Sequence, residues 1–582
     1  MKKTLVLVLI LGASLQAGDD FAQRSRIILQ AASREPRPDF FTLTAALLQG
    51  HDRFAQLDSL LFDQRVSGSF LSYLAVSSYL HLQKILPDSI KTRIRDIYRL
   101  RPIYRGDTEN HWAMYYTGMY LASQTWPNES GERWFNGKSS AENFAEAEEY
   151  LRHWFNLSAA IGQGEFDSPT YFIAFVSPLL PLYDFSRDPA MKKNAENMLN
   201  LLFADFAIDH LTGMYGGGHS RDYPEDIINP LIPAATMFAW LYFGEPDFPP
   251  WQESRGKLRH RGWETVFGAL SRYRLPEIIR CIATDRSQPY VSTETRRTRN
   301  VIRFGRELNP PVYKYTYMTS SYVLGSLHGG ILQPIQQHTW DVSYVSDQPY
   351  NTLFTLHPFY SGKELAMFFP EEQKVLADEV NRYHLIYKDP NKWNSSSPYE
   401  QTFQHKNNLI VLYDIDSSAQ HPHIDGFFPK TLRQRLTDPS GWIFCDAGQT
   451  YIAFYPLRPY EWIEEEHNWR WRSRELKNGV VVHVGSKKED RSFQAFMKKC
   501  RRPPEWTADR TVQYRTPAGD LMQFSFNGPR RLNGRTIDFS EYKFFNSPYI
   551  TSEMGSRIVT LQYKKKKLVL DFRGLDEQQK KE

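Results

Sequence analysis

Tyr313-Lys314-Tyr315-Thr316-Tyr317-Met318 places a tyrosine at every second position. Alternate side chains of an extended chain fall on opposite faces, so this is the period of a β-strand with one aromatic face. Earlier in the chain, Met198, Leu199, Leu202, Phe203 and Phe206 recur at spacings of three and four, the period of one helix face. Outward from these two stretches the chain divides into a helical part and a strand part.

From about residue 20 to residue 275 the helical period persists, in Phe54, Leu57, Leu60 and Leu61, in Phe70, Leu71, Leu74 and Tyr79, and in Phe144, Ala147, Leu151, Trp154 and Phe155. Breakers such as Arg105-Gly106-Asp107, Pro127-Asn128, Gly162 to Gly164 and Gly216 to Gly218 separate these runs. About ten helices with short connections fit the span, and helical hairpins arranged in a ring, an α/α toroid, fit it best; no fixed solenoid repeat is visible. After about residue 295 the period changes. Val301 to Phe304, Trp340 to Val345, Asn408 to Tyr413, Tyr451 to Tyr455, Val480 to Val484, Leu521 to Phe526 and Ile558 to Tyr563 read as strands. Turn residues divide them at Asn309-Pro310-Pro311, Asp438-Pro439, Asn478-Gly479 and Asn533-Gly534. The predicted class is therefore α+β and multidomain, an N-terminal α/α toroid over 18–280 followed by a C-terminal antiparallel β-sandwich over 295–575, with the change of period in the charged segment Glu277 to Thr298.

Residues 1–17 read as a secretory leader: Lys2 and Lys3, an apolar run from Thr4 to Leu11, and small residues up to Ala17. The run is shorter than the roughly 20 residues a membrane span needs, and no later stretch reaches that length without charges. The protein is thus expected to be exported, periplasmic or secreted, with no membrane span. The formal charge of +5 loses two positives with the leader, too weak a balance for a nucleic-acid partner. Cys281, Cys445 and Cys500 show no metal spacing and allow at most one disulfide. Aromatic residues make up 14% of the chain, which leans towards carbohydrate because aromatic faces stack on sugar rings.

Three polar clusters in the helical part carry candidate chemistry. In Asp107-Thr108-Glu109-Asn110-His111-Trp112, Asp107 or Thr108 caps a helix whose first turn holds Asn110 and His111, where free N–H groups and the dipole favour an anion. The same residues also suit a plain cap packed against Trp112. In Gly164-Glu165-Phe166-Asp167-Ser168-Pro169-Thr170-Tyr171, Glu165 or Asp167 can orient a catalytic group, and Tyr171 lies one turn into the next helix; a helix cap explains the Asp-Ser-Pro equally. In Gly216-Gly217-Gly218-His219-Ser220-Arg221-Asp222-Tyr223, the glycines allow close approach of backbone to a ligand. His219, Arg221 and Tyr223 alternate and would project to one side of an extended loop.

This order of features, with the Asn-His pair, the His-x-Arg-x-Tyr loop and many aromatic residues, resembles the toroid-type polysaccharide lyases, the broad group of chondroitin, hyaluronan, alginate, heparin and glucuronan lyases. Tyr322 to Ser326 and Gln336 to Trp340 look like segments of related β domains. The resemblance implies β-elimination beside a uronic acid, with an acidic polysaccharide as substrate and no cofactor. By residue type, Asn110 and His111 or Glu165 would meet the substrate carboxylate. Tyr223 or His219 would be the base, Tyr223 is also a candidate acid, and Arg221 would stabilise charge. Trp112, Glu165, Asp167, Tyr171 and His338 would line the cleft. Arg221 precedes Tyr223, whereas the chondroitin type runs Asn, His, Tyr, Arg.

His421-x-His423 near Asp425 lacks a third spaced ligand and reads as a solvated loop, and the charged aromatic strip Trp462 to Trp471 reads as an exposed β-domain loop. Neither a phosphate loop nor a Gly-x-Ser-x-Gly elbow is present. Two rivals stand beside the lyase: an inverting glycoside hydrolase using Asp107 or Glu109 with Glu165 or Asp167, and a surface glycan-binding protein without activity.

Overall fold

The computed structural model describes residues 20–106, 108–247, 262–297, 311–329, 337–359, 393 and 397–575. The expected leader, the Val301 to Phe304 strand and Asp107 lie outside these residues. Among them, thirteen α-helices precede residue 285 and two short ones follow it, with antiparallel sheets making up the rest. The protein is α+β.

Local chemistry sets the helix ends. Ser139 and Glu142 form a reciprocal capping box at the start of Ser140–Ile161, and Gly162 closes that helix at φ +81°. Asp188 accepts from two backbone N–H groups at the start of Pro189–Asp209, with proline at the first helical position. The neighbour relations close on themselves. Asp20–Ser33 packs on Phe40–Leu48, then come Gly68–Leu82, Glu109–Thr125, Phe172–Phe185, Pro189–Asp209, Glu277–Thr284 and Ala235–Phe243, which returns to Asp20–Ser33. Every residue of Ala235–Phe243 is buried, as expected of a helix apolar on all sides.

The largest sheet has twelve strands, in the order Glu461–Glu464, Asn468–Ser473, Ile424–Pro429, Thr352–Leu356, Trp340–Tyr344, Tyr322–Gly329, Val312–Met318, Tyr290–Arg296, Phe545–Asn546, Ile550–Ser552, Ile558–Tyr563 and Lys566–Asp571. Its first half shares an apolar core with a six-stranded sheet, where Trp340, Val342 and Phe354 meet Val411, Ile452 and Val482. A five-stranded sheet covers the far face of the six, through Phe444, Val512 and Phe524. The last strands do something else: Phe545, Ile550, Val559, Leu561 and Leu570 join the core of the helices. The twelve-stranded sheet therefore belongs to both halves of the molecule.

The strand Val312–Met318 alternates as its sequence predicts, and its tyrosine face is the more exposed one. Val312, Lys314, Thr316 and Met318 are buried, whereas Tyr313, Tyr315 and Tyr317 are half-buried. The charged segment Glu277 to Thr298 holds a helix, Glu277–Thr284, and the sheet strand Tyr290–Arg296. Trp462 to Trp471 forms parts of two paired strands rather than a loop. His421 and His423 are buried, not solvated, and Asp425 beside them is engaged by Arg470 and Arg472. All three cysteines are free. Among the described residues no helix is long and apolar enough to cross a membrane.

Candidate active site

Two loops form the site, residues 163–171 before the helix Phe172–Phe185 and residues 216–223 before the short helix Pro224–Ile228. Hydrogen bonds lace them side by side. Ser220 donates its N–H to Phe166 O at 3.2 Å and its hydroxyl to the same oxygen at 2.6 Å. The Ser168 hydroxyl donates to Arg221 O at 2.9 Å, and the Thr170 hydroxyl to Asp222 Oδ1 at 3.0 Å. The glycines of the second loop have a different job from the one expected. A Cβ on Gly216 would lie 2.1 Å from Val323 Cγ1, and one on Gly218 would lie 2.5 Å from Leu327 Cγ. The close approach they permit is to the strand Tyr322–Gly329, not to a ligand.

One chain of contacts runs through the site. Thr108 caps the helix Glu109–Thr125 through the His111 N–H. In its first turn Asn110 donates its backbone N–H and its amide to Glu165 Oε2, at 3.0 and 2.6 Å. The other Glu165 oxygen accepts from Arg221. The Arg221 guanidinium covers the Tyr171 ring at 4.1 Å, and the Tyr171 hydroxyl lies 2.6 Å from that of Tyr223. Asn110, Glu165, Arg221, Tyr171 and Tyr223 are thus brought together. Asn110 is fully buried behind Glu165, so it orients that carboxylate instead of facing an incoming anion. Burial opposes the Arg221 charge, but Tyr171 and Glu165 outweigh it and hold the guanidinium above its ordinary range. Burial raises Tyr171, with Arg221 only partly offsetting it.

His219, Arg221 and Tyr223 do not project to one side. Arg221 adopts φ +40°, which breaks the alternation of an extended chain. His219 is instead buried against the rings of Tyr215 and His338. Its Nδ1 lies 2.9 Å from the Asp167 carbonyl oxygen. A carbonyl only accepts, so Nδ1 carries the hydrogen and Nε2 the lone pair. Burial, then the nearby His338 and Lys314, push the His219 pKa down to about 3, so the ring is neutral at neutral pH. His338 stacks on it at 5.9 Å and exchanges backbone hydrogen bonds with it, at 2.9 and 3.0 Å.

Beneath His219 lies a buried ion cluster that sequence reasoning missed. Asp167, at φ +53°, receives Lys314 on one oxygen and the Tyr215 hydroxyl on the other, at 2.5 and 2.8 Å. Lys314 also binds Asp209, and Arg296 binds Asp205 and Glu294. Four carboxylates face two cations. Burial works to raise Asp167, yet Arg296 and Lys314 bring it down to about 2, whereas burial pushes Asp209 up to about 7 despite Lys314. Asp167, Asp205 and Glu294 converge closely enough to hold a metal ion, and the Arg296 guanidinium occupies that position. Asp167 was expected in the cleft; its side chain instead anchors the loop whose carbonyl orients His219.

His111 and Trp112 follow Asn110 in the first turn of the helix Glu109–Thr125. Trp112 donates its indole N–H to Gly106 O at 2.8 Å beneath the Arg105 guanidinium, and His111 packs edge-on against Phe70. Glu109 was also missed as a support. It accepts from Trp154, from the Gly164 N–H and from Arg297, tying the first loop to the end of the strand Tyr290–Arg296.

No family description matches the chain, and no curated protein matches it. Among solved structures it is similar to the chondroitin AC lyase of Streptomyces coelicolor A3 in complex with chondroitin sulphate, at 9% identity and TM-score 0.41, covering 95% of this chain and 89% of that one. A mutant of that lyase aligns at 9% identity and TM-score 0.40, over 96% and 90%. Heparinase III aligns at 8% identity and TM-score 0.34, over 87% and 81%. The chemistry assigned to the site rests on its own geometry.

Proposed function

We propose that this chain is an exported polysaccharide lyase, an α/α toroid joined to an antiparallel β-sandwich, which cleaves a uronic-acid glycan by β-elimination. The observation that carries the reading is the Tyr223–Tyr171 hydroxyl pair beside Arg221, with an imidazole two residues earlier whose Nε2 holds a lone pair. Arg221, itself oriented by Glu165 and Asn110, meets the substrate carboxylate and draws charge out of the ring. A general base, Tyr223 or His219 Nε2, takes the C5 proton, and the electrons left behind form the C4–C5 double bond as the C4–oxygen bond breaks. Tyr223 gives its proton to the departing oxygen, and the Tyr171 hydroxyl then donates to the phenolate. The closed succession of helix neighbours supports the toroid.

The carboxylates argue against a hydrolase. An inverting pair needs one acid and one base about 6.5–9.5 Å apart and open to the cleft. Glu109, Glu165 and Asp167 are all buried and engaged by Arg297, Arg221 and Lys314 respectively. The test is mass spectrometry of fragments from hyaluronan, chondroitin, alginate and glucuronan. Elimination gives fragments lighter by one water than hydrolysis does; fragments of the hydrolytic mass would move the assignment to a hydrolase.

A further inference from the structure

Lys314 reaches into the helical half from the interior of the twelve-stranded sheet. Its strand is paired on both sides, with Glu294 opposite Lys314 on one neighbour and Leu327 opposite it on the other, so the backbone that carries it is fixed. The side chain is fully buried, and its ammonium binds Asp167 Oδ2 at 2.5 Å and also Asp209. Burial opposes that charge, but Asp167, Asp209 and Glu294 outweigh it and hold the ammonium above the ordinary lysine range.

Asp167 is the residue on which this contact acts. At φ +53° it has a left-handed backbone, which a residue other than glycine keeps only where its surroundings over-determine it. Here they do. Lys314 holds one carboxylate oxygen, and the other accepts from the Tyr215 hydroxyl at 2.8 Å, with Arg296 at 3.5 Å. In that conformation the Asp167 carbonyl oxygen meets His219 Nδ1 at 2.9 Å. A free imidazole favours the hydrogen on Nε2, so the Nδ1–H form is a signature of this acceptor. The same loop also serves Arg221, whose guanidinium donates to Glu165 and whose carbonyl accepts from Ser168. Asp167 thus lies between the two arms of the site.

We infer that Lys314 and Tyr215 are positioning residues for the candidate active site: through the Asp167 side chain they lock the loop conformation that sets the His219 tautomer. Both are buried, so they act through Asp167 and not on a substrate. The sheet thereby supplies, from far along the chain, part of the geometry of loops that belong to the helical half. The kinetic consequence rests on the lyase reading; the effect on His219 does not.

NMR of the full chain, labelled at the histidine ring nitrogens and Cε1, tests it, the His219 resonance being the one missing from His219→Gln. In the parent that resonance should report a neutral ring protonated at Nδ1. Lys314→Met keeps the stem and removes the charge. Tyr215→Phe keeps the ring and removes only the hydroxyl, so it carries the test if Lys314→Met fails to fold. In each variant that circular dichroism shows to be folded, the resonance should move towards the Nε2–H form. On a polymer that the parent cleaves, kcat should fall by about tenfold or more with KM little changed, because no substrate contact is lost. A clamp that served stability alone would lower the unfolding midpoint and leave the resonance of the folded variants where the parent has it; that result overturns the inference. A displaced resonance with the parent's kcat overturns it equally. If the parent cleaves no polymer, the lyase reading fails and the resonance alone decides.

Discussion

The Tyr171 and Tyr223 hydroxyl oxygens lie 2.6 Å apart, with Arg221 over the face of Tyr171 at 4.1 Å. Burial raises the Tyr171 pKa, so Tyr171 keeps its proton and is the donor whenever Tyr223 gives its own away. Both rings are half-buried, and in the proposed reaction Tyr223 is the member that meets the substrate.

Tyr223→Phe should lower turnover by roughly 10²–10⁴-fold, the usual loss for a positioned acid or base. Stability should fall by only about 0.5–1.5 kcal/mol, because one hydrogen bond goes and the ring stays. Tyr171→Phe removes a donor to a transient anion, worth about 1.5–3 kcal/mol, and should slow turnover less. Steady-state kinetics with urea unfolding of both variants checks this; near-normal turnover in Tyr223→Phe would make Tyr223 a packing residue.

Glu165→Ala strands the Arg221 charge and the Asn110 amide in a buried site. Removing one member of a buried ion pair typically costs about 3–5 kcal/mol. Denaturant unfolding should show a loss of that order, with turnover falling as Arg221 loses its orientation. A loss below about 1 kcal/mol would mean that solvent already screens the pair.

His219 sets a pH dependence whose sign follows from burial. Its folded pKa, about 3, is below the ordinary value of 6.5, so the unfolded chain binds the proton more readily. The neutral ring favours the fold fully above pH 6.5, and that contribution is lost as pH falls from 6.5 towards 3. His219→Gln should flatten this limb of the stability curve. In the active parent, kcat/KM should show no histidine titration near pH 6.5; a limb there that disappears in the variant would contradict a buried neutral base.

Gly325→Ala touches no candidate catalytic residue. Its Cβ would lie 2.5 Å from Gly217 Cα, so backbone must move, and the strain should cost about 1–3 kcal/mol. The loop carrying His219 is what gives way. Turnover should therefore drop in a variant that still folds, as circular dichroism and kinetics together would show; full activity would indicate that the loop tolerates the shift.

The change from helical to strand period was readable in Phe203 and Tyr315, because each periodicity is a local property of the chain. The destination of the last strands was not, since nothing in Ile558–Tyr563 says whether its inner face meets a sheet or helices. Asn110, Glu165, Arg221 and Tyr223 were visible as polar residues beside breakers, and their mutual contacts join two loops to the first turn of the helix Glu109–Thr125. Lys314 was hidden by its neighbours. Among alternating tyrosines it reads as the solvent face, and only Asp167 and Asp209 opposite it explain its burial. Glycines 216 to 218 signalled close approach correctly, but what approaches is decided by Val323 and Leu327, residues far along the chain.

The central claim is elimination at this site, and one paired measurement tests it most directly. The purified protein is incubated with a panel of uronic-acid polysaccharides while ultraviolet absorbance and new reducing ends are followed together. The account predicts that on at least one polymer both rise in step, as each cleavage creates one conjugated double bond, and that Tyr223→Phe suppresses both. Reducing ends that accumulate without absorbance would contradict it.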